Sequence, residues 1–475
     1  MQSDGKDRAD DNRPVGNNSL SAWSQRQMDF LIIGYQIALA VERARGRMPA
    51  KDQTAYRTML DESAVKPGPL GRPLRIVYDV SALTKNERVT GIPRVTKTVG
   101  HDFVKLAAEY GHEIIFSNFM GDGFYEAELA LDDPSCLHGF RLTNQPVDFR
   151  PGDRMIIGDF TPILFQREFT FLQKLKQKGV HLTVVIYDLL PILNPQWIEP
   201  NYIMHYANWW FHVLAVTDRL VAISGKVADD LRTLVAISRP EPAGAGRKID
   251  LAFFGLGCDG LRREPGTPEP KASKDNVPKG PKFMAIGGAW ERRKNIDDLI
   301  AAVAILRREG IDASLTVTGK GWNRDLPVEL LDDPLWKDRL ALPGHVSDEA
   351  LIELLGEADA LVSASLDEGF GLPLVEAGHA GVPVILRDLV VHREAAGDEG
   401  LYFGAGGPEV IAERLRYFAG LTREEQLGHV PKENLRSWAH SARQLAAILR
   451  EDLVYDRLNI SPLVRLNFGE APLNL

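Results

Sequence analysis

Short apolar runs of β type alternate, from residue 75 onward, with longer segments in which apolar residues recur at helical spacing. A first series of such runs occurs at 75–79, 113–116, 154–157, 181–188 and 219–224. A second series occurs at 282–287, 314–319, 339–344, 359–365 and 383–387. This alternation is typical of βαβ units and parallel sheets. The pattern therefore predicts an α/β protein with two Rossmann-like, doubly wound sheets.

The two series are separated by residues 261–280, which are rich in proline, lysine, glycine and acidic residues. A segment of this composition does not form a packed element, so we interpret it as a linker or an exposed insertion. We predict a helical N-terminal extension at 1–72, a first domain at 73–260, the linker at 261–280, a second domain at 281–433, and a C-terminal helix and tail at 434–475. Two such domains side by side bring the carboxyl ends of both sheets around one cleft, where we expect the chemistry.

The longest apolar run, at 30–41, is shorter than the roughly twenty residues that a membrane-spanning helix needs. We interpret it as a helix docked on the main body. The neighbouring Arg43, Arg45 and Arg47 keep peripheral contact with a membrane surface open as the alternative. The polar start of the chain predicts no secretion signal.

The composition and net charge of the chain limit the kinds of molecule that it is expected to bind. With 44% hydrophobic and 25% charged residues, the chain is that of an ordinary globular protein. A formal net charge of -9 provides no overall field that would draw the protein onto nucleic acid. The two cysteines, Cys136 and Cys258, are too few for a disulfide framework and favour a reducing compartment. We therefore predict a cytoplasmic protein that does not bind nucleic acid.

A glycine-rich turn follows the predicted strand at 359–365, and Pro373 stands where the next helix should begin. Proline is favoured at the first helical position because its missing N–H would have no helical partner there. The amides at 369–372 would then form a positive helix end that suits phosphate or sugar hydroxyls. Glu368 and Glu376 would both face the cleft, and a carboxylate accepts hydrogen bonds from both hydroxyls of a ribose. The spacing fits an ordinary strand–turn–helix with two solvated glutamates equally well.

A basic cluster, Arg292 to Lys294, follows a strand that ends in two glycines. Asn295 would cap the next helix, with Asp298 at its third position in a variant of the capping box. Helix N-termini disfavour cations unless an anion is also present. A bound diphosphate would resolve that conflict, with Lys294 as a point charge and Arg293 as a bidentate clamp. A solvated basic loop is the alternative.

Two further places in the first series carry polar residues at the expected ends of strands. The strand at 75–79 leads into a polar turn that contains Gly91 and Arg94, and the strand at 181–188 ends in Tyr187 and Asp188. For Asp188, capping of the next element is at least as good an interpretation as catalysis.

Common nucleotide and metal motifs are absent from the sequence. There is no G-x-x-x-x-G-K-[ST] loop, no H-E-x-x-H and no Asp-x-Asp, and the histidines show no ligand spacing. The segment GLGCDG at 255–260 matches the dinucleotide pattern but is not followed by a helical segment. We therefore predict no protein-held metal and no cofactor.

The stretch from residue 282 to about 403 resembles the donor-binding domain of retaining glycosyltransferases of the GT-B fold, in family 4. The residues that carry the resemblance are the pair Glu368 and Glu376, the motif from Gly288 to Asn295, the segment LPGHVSDEAL at 342–351, and the continuation at 376–384. The first half is similar through TGIPRV at 90–95 and YDLLPILNP at 187–195. The resemblance covers roughly residues 75–455 and implies a GT-B fold with two domains facing a cleft.

The resemblance implies donor-side roles for the matching residues. Glu376 would hold the nucleotide ribose, and Arg293 and Lys294 would bind the diphosphate. Glu368 would bind the transferred sugar together with the backbone of the turn, and further donor contacts would come from Gly288, Gly369, Phe370, Gly371 and Leu372.

The first domain would supply the remaining contacts. Gly91 would approach the diphosphate from the opposite side of the cleft, and Arg94 would line the acceptor side with Tyr187 and Asp188. Many members have a histidine where this chain has Tyr187. A phenol, with its usual pKa near ~10, donates hydrogen bonds to sugar hydroxyls but is a poor proton carrier at neutral pH.

The sequence thus predicts a cytoplasmic, metal-independent, retaining glycosyltransferase that moves a sugar from a nucleotide sugar to a glycan or lipid-linked oligosaccharide. Mannose from GDP-mannose is the donor we name, because TGIPRV and YDLLPILNP look most like bacterial members that build polysaccharide. The residues themselves do not distinguish guanine from uracil, since Glu376 would bind either ribose. A GT-B sugar-nucleotide epimerase and a non-catalytic glycan-binding or scaffold protein remain as alternatives, and the sequence assigns no oligomeric state.

Overall fold

The structure is a computed structural model of the whole chain. It describes residues 38–41, 43–44, 51–65, 73–85, 91–133, 136–158, 162–237, 247–258, 280–289, 291–321, 334–336, 338–432, 434–460, 467–468 and 471–472. The predicted linker lies outside the described residues except for its last residue, and the apolar helix predicted at 30–41 is described only from residue 38.

The order of elements follows the predicted alternation of strands and helices. The strands are β1 (Arg75–Asp79), β2 (Glu113–Phe119), β3 (Phe124–Leu129), β4 (Phe140–Pro146), β5 (Arg154–Ile157), β6 (His181–Ile186), β7 (Arg219–Ala222), β8 (Arg247–Phe253), β9 (Lys282–Ile286), β10 (Ser314–Thr318), β11 (Leu340–Gly344), β12 (Ala360–Ser363), β13 (Val384–Arg387), β14 (Leu401–Phe403), β15 (Asp456–Ile460), β16 (Asn467–Phe468) and β17 (Ala471–Pro472). The α-helices are α1 (Gln53–Val65), α2 (Ile92–Tyr110), α3 (Pro162–Gln177), α4 (Leu190–Leu193), α5 (Pro200–Val216), α6 (Gly225–Ile237), α7 (Ile296–Arg308), α8 (Asp348–Glu357), α9 (Leu372–His379), α10 (Val390–Ala396), α11 (Pro408–Ala419), α12 (Arg423–Leu427) and α13 (Trp438–Arg450).

The first sheet has the order β15-β8-β7-β6-β5-β1-β2-β3-β4. Strands β1, β2, β5, β6, β7 and β8 pair in parallel, whereas β3, β4 and β15 are antiparallel additions at the two edges. The chain order reverses between β1 and β5. In doubly wound sheets, ligands bind outside the carboxyl ends of the strands at such a reversal.

The second sheet has the order β11-β10-β9-β12-β13-β14, and all its pairs are parallel. Its strands therefore follow the order 3-2-1-4-5-6 of a doubly wound nucleotide-binding sheet, with the reversal between β9 and β12. The prediction of two doubly wound α/β domains is confirmed.

The apolar residues of α2 form the face that packs on the first sheet. On α2, Val95, Val99, Phe103 and Leu106 recur every three or four residues, and all four are buried. The helix ends at Gly111, whose φ of 69° is the left-handed conformation that glycine adopts readily. The helix thus covers the first sheet with its N-terminus at the carboxyl end of β1.

The C-terminal elements return to the first domain. Helix α13 packs against α1 and α2, and β15 pairs antiparallel with β8. Two side chains of α13 contact Asp61 of α1, because Nε2 of Gln444 and Nε2 of His440 both lie within hydrogen-bond distance of its carboxylate. The segment after residue 434 is therefore built into the first domain, although it follows the second domain in sequence.

Polar contacts join the two domains beside the cleft. Nζ of Lys226 lies 2.6 Å from the carboxylate of Asp367. The backbone N–H of Gly225 donates to the carboxylate of Glu394 at 2.7 Å. Since Gly225 and Lys226 begin α6 of the first domain, the positive end of that helix faces two acidic residues of the second domain.

Candidate active site

A cleft of about 560 Å³ lies between the two domains. Its walls come from the carboxyl ends of strands and the N-termini of helices in both sheets, as expected for facing doubly wound domains. Every residue assigned to the site from the sequence lines this one cleft, namely Gly91, Arg94, Tyr187, Asp188, Gly288, Arg293, Lys294, Glu368, Gly369, Phe370, Gly371, Leu372 and Glu376.

The glycine-rich turn between β12 and α9 has the predicted form. Pro373 lies in the first turn of α9, and Gly371 caps the helix with a φ of 92°, a conformation that L residues rarely adopt. A Cβ on Gly369 would lie 2.2 Å from the carbonyl oxygen of Tyr187 in the other domain. The Oγ of Ser224, also in the first domain, donates to the carbonyl of Gly369 at 2.7 Å. Gly369 is therefore required for close approach of the two domains as well as for the helix end.

Glu368 binds both basic residues that were assigned to the diphosphate. One carboxylate oxygen accepts from Arg293 at 2.5 Å, and the other accepts from Lys294 at 2.6 Å and from the hydroxyl of Ser365 at 2.8 Å. Burial acts to raise the pKa of Glu368, but the charges of Arg293 and Lys294 outweigh it and hold that pKa well below its usual range. Glu368 is thus ionised and positions both cations at the cleft.

Arg293 and Lys294 form a single 3₁₀ turn with Arg292 before α7. The predicted capping box at this helix is wrong. Asn295 adopts a left-handed conformation with a φ of 52° and makes no side-chain bond to the backbone. Its amide instead donates to the carboxylate of Asp298 at 2.9 Å. The turn therefore leaves the helix start without a side-chain cap at Asn295 and directs Arg293 and Lys294 toward Glu368.

Glu291 is a site residue that the sequence reasoning missed. Its carboxylate accepts from Arg293 at 2.9 Å and from the backbone N–H of Gly288 at 2.8 Å. The charges of Arg293 and Lys294 are therefore matched by those of Glu368 and Glu291, so an entering anion must compete with two carboxylates. The only sequence signal was an acidic residue directly before a basic cluster.

Glu376 is buried on α9 and contacts the opposite domain. Its carboxylate accepts from the guanidinium of Arg94 at 2.8 Å. Burial raises the pKa of Glu376, and the nearby charge of Arg94 opposes that rise. Arg94, which we expected among acceptor contacts, thus pairs with the carboxylate expected to hold the ribose. Gly91, three residues before Arg94, is the N-cap of α2 and has a φ of 61°.

Tyr187 and Asp188 both lie at the cleft but are held by local hydrogen bonds. The hydroxyl of Tyr187 donates to the carbonyl of Gly158 at 2.6 Å, so its one proton is directed into the first domain. The carboxylate of Asp188 accepts from the backbone N–H of Leu190 at 3.0 Å, which is the capping interpretation. Burial raises the pKa of Asp188, partly countered by the charge of Arg293.

Within the described part of the chain, no three His, Cys, Asp or Glu side chains are placed to hold a metal ion. In the same residues, no helix has the length and apolar character needed to cross a membrane.

Two doubly wound domains that face one cleft define the GT-B architecture of glycosyltransferases. The solved structure of sucrose-phosphate synthase from Thermosynechococcus elongatus matches this fold with a TM-score of 0.52 at 17% identity, covering 80% of this chain and 98% of that chain. At this identity the likeness concerns the fold alone.

The second domain also matches a family in sequence. Residues 269–435 match the family model described as Glycosyl transferases group 1, so the chain contains a domain of that family. The serotype-specific mannosyltransferase WbdA of Escherichia coli is 31% identical over 78% of this chain and 44% of its own length. The O-antigen chain mannosyltransferase B of Escherichia coli is 36% identical over 27% of this chain and 34% of its own length. The chain thus spans less than half the length of these two relatives.

Proposed function

We propose that this protein is a retaining, metal-independent glycosyltransferase that moves mannose from GDP-mannose to a glycan or lipid-linked oligosaccharide. The observation that carries the proposal is the placement of Arg293 and Lys294 at the cleft, opposite the first domain and beside the start of α9. The group 1 domain supports glycosyl transfer, and the two mannosyltransferase relatives support mannose.

Glycosyl transfer from a nucleoside diphosphate sugar requires stabilisation of charge on the departing diphosphate. An ammonium group has three N–H donors and a guanidinium has five, so Lys294 and Arg293 retain donor capacity beyond their bonds to Glu368. These two cations and the backbone amides at the start of α9 would stabilise the leaving group electrostatically. Glu368 would keep both cations in position throughout.

Binding of the nucleotide would rearrange the contacts of Glu376. The carboxylate oxygen that accepts from Arg94 would turn to a ribose hydroxyl, and the contact with Arg94 would loosen. The released guanidinium of Arg94 then lies beside the anionic donor, from the opposite wall of the cleft. Donor binding would thereby replace an ion pair between the domains with contacts from both domains to one ligand.

Retention would follow from attack of the acceptor on the face from which the diphosphate departs. The leaving phosphate would then take the proton of the acceptor hydroxyl. The structure supports this route because the hydroxyl of Tyr187 donates to Gly158 and the carboxylate of Asp188 accepts from Leu190, so both side chains already have local roles.

We also propose a cytoplasmic location, where nucleotide sugars are made, and we keep peripheral membrane contact through the apolar segment at 30–41 as the alternative to a helix docked on the main body. Cosedimentation with anionic liposomes tests the second part, using the full chain and a truncation that begins at Pro73. Equal association of both proteins would refute the contact.

The first experiment measures thermal stabilisation by GDP-mannose, UDP-glucose, UDP-GlcNAc, GDP and UDP, each with EDTA. A ligand that binds only the folded protein raises its melting temperature, and at a given concentration the rise grows with the logarithm of its affinity. We expect GDP-mannose and GDP to stabilise the protein and the uridine nucleotides to have a smaller effect. Selective stabilisation by a uridine nucleotide would refute GDP-mannose as the donor. Stabilisation by none of the five ligands would refute the proposed glycosyltransferase.

Transfer itself is then measured by mass spectrometry with methyl α-mannopyranoside as acceptor, with and without EDTA. Production of a disaccharide supports the transferase. The configuration of the new bond, read by NMR, tests retention. Isomerisation of the donor without an acceptor would favour an epimerase, whereas binding without turnover would favour a glycan-binding protein.

A further inference from the structure

Asp367 belongs to the turn between β12 and α9, but its side chain is held by the first domain. One carboxylate oxygen accepts from Nδ2 of Asn194 at 3.0 Å, and the other accepts from Nζ of Lys226 at 2.6 Å. Asn194 directly follows α4, and Lys226 lies in the first turn of α6. Two separate elements of the first domain therefore fix one carboxylate of the second domain.

Lys226 carries its charge at this contact. Its side chain is only 13% exposed, and it also pairs with Asp230 on the same helix at 2.8 Å. Burial acts to lower the pKa of Lys226, but the charges of Asp230 and Asp367 outweigh it and raise that pKa. Because both side chains of the pair between Lys226 and Asp367 are largely buried, solvent and salt screen it less than a surface ion pair.

The same carboxylate also contacts the backbone of Glu368. The oxygen of Asp367 that accepts from Lys226 accepts as well from the N–H of Glu368, at 2.8 Å. On the other side of Glu368, the carbonyl of Gly369 accepts from the hydroxyl of Ser224 at 2.7 Å. The backbone around Glu368 is therefore fixed on both sides by contacts that come from the first domain.

The carboxylate of Glu368 contacts both cations of the proposed diphosphate site, Arg293 at 2.5 Å and Lys294 at 2.6 Å. A continuous series of contacts thus runs from Lys226 through Asp367 and Glu368 to these cations. The groups that stabilise a transition state must be placed accurately, and a displacement of about 1 Å costs on the order of 100-fold in rate.

We infer that Asp367 is a positioning residue for glycosyl transfer. Held by the first domain, it keeps Glu368, and with it the two cations, in the geometry that stabilises the departing diphosphate. The inference rests on the proposed function, because it concerns the geometry of the diphosphate site. It also implies that the first domain contributes to a site whose charged groups all belong to the second.

The experiment compares Asp367→Ala, which removes every contact of the carboxylate, with Asp367→Asn, which keeps an oxygen for the N–H of Glu368. The control is Arg57→Met, which removes the 2.5 Å ion pair between α1 and Glu394 of α10. This pair also joins the second domain to elements packed on the first, but it lies outside the turn. For each variant, kcat is measured at saturating donor and acceptor, and stability is measured by urea unfolding.

We expect Asp367→Ala to lower kcat on the order of 10- to 100-fold. Asp367→Asn should recover kcat to within about threefold of the unaltered protein, because its amide oxygen still accepts a hydrogen bond. Arg57→Met should lose stability but keep kcat within about twofold, since it is independent of the turn. A residue that only joined the domains would behave like Arg57 and lower stability without lowering kcat.

Asn194→Ala provides a milder perturbation, because it removes one contact of Asp367 and leaves every charge in place. It should lower kcat by about threefold, which tests the inference even if Asp367→Ala does not fold. Unchanged kcat in Asp367→Ala or in Asn194→Ala would overturn the inference and leave the proposed function intact, as would an equal fall in Asp367→Ala and Arg57→Met. Failure of the proposed function is recognised separately, because the unaltered protein would then not be stabilised by any of the five nucleotides.

Discussion

Removal of the ammonium group of Lys294 is the most direct test of the diphosphate site. The substitution Lys294→Met keeps a side chain of similar length, but Glu368 loses one of its two cationic partners. The side chains of Lys294 and Glu368 are only 11% and 9% exposed, and Nζ lies 2.6 Å from the carboxylate. The pKa of Glu368 should rise toward its usual value, because one of the two charges that lower it is gone.

The loss of folding stability in Lys294→Met depends on the contacts that Glu368 keeps. Removing one partner of a buried ion pair costs roughly 3–5 kcal/mol when the other charge is left alone. Here Arg293 and Ser365 still contact the carboxylate, so we expect a loss of about 1–3 kcal/mol in the free energy of unfolding. The loss of activity should be larger. Removal of one group that stabilises charge in the transition state costs on the order of 100-fold in turnover.

Urea unfolding, followed by tryptophan fluorescence, measures the stability, and release of GDP from GDP-mannose measures turnover. The matched control is Lys105→Met, which removes a lysine that is 79% exposed and paired with Asp102. It should change stability by less than about 1 kcal/mol and leave turnover unaltered. Adding Glu368→Gln to Lys294→Met should recover part of the stability but none of the activity. Turnover by Lys294→Met within about threefold of the unaltered protein would refute the assignment of the diphosphate site.

Three further predictions follow from charges near the cleft and in the core. Glu291→Gln keeps a hydrogen-bond acceptor but removes a negative charge beside Arg293, so GDP should bind several-fold more tightly, as measured by calorimetry. Unchanged or weaker binding would show that the carboxylate of Glu291 does not compete with the diphosphate. Burial raises the pKa of Asp79 to about 6, so the folded state binds the carboxyl proton more tightly than the unfolded chain does. The free energy of unfolding should therefore fall as the pH rises from about 4 to about 6, and Asp79→Asn should make that fall smaller in urea unfolding. Lys226→Met leaves Asp367 without its cation between the domains, which should lower the free energy of unfolding by about 2–4 kcal/mol, and Asp367→Asn in the same chain should recover part of that loss.

Most parallel strands of both sheets were predictable because buried parallel strands are continuous apolar runs. Strand β1 occupies the predicted residues without a shift, and β9 and β12 differ from the prediction by one or two residues at their ends. The strands β3, β4, β8, β14 and β15 were not predicted. Strands β3 and β4 lie at an edge of the sheet and mix exposed polar with apolar residues. An edge strand has neither the continuous apolar run of a central strand nor a helix that marks its end.

At the candidate site, the residue types were predictable from the sequence, but the contacts between them were not. The residue types around Gly369 and Lys294 pointed to an anion and a sugar, because a helix N-terminus and adjacent cations suit those ligands whatever the rest of the fold. The partners of those residues were not predictable. The contact of Arg94 with Glu376 joins positions 282 residues apart in the chain, and neither residue's local sequence records the other.

The sequence by itself determined the fold class, the two doubly wound sheets and the residue types at the cleft, because hydrophobic periodicity, turn residues and short motifs are local properties of the chain. Only the tertiary structure decided that Glu368 holds both cations, that the C-terminal helix returns to the first domain, and that Tyr202 lines a pocket beside Arg293. These features depend on tertiary packing, within each domain for Glu368 and for the C-terminal helix, and between the domains for Tyr202 and Arg293. That packing sets distances between residues that no local pattern links.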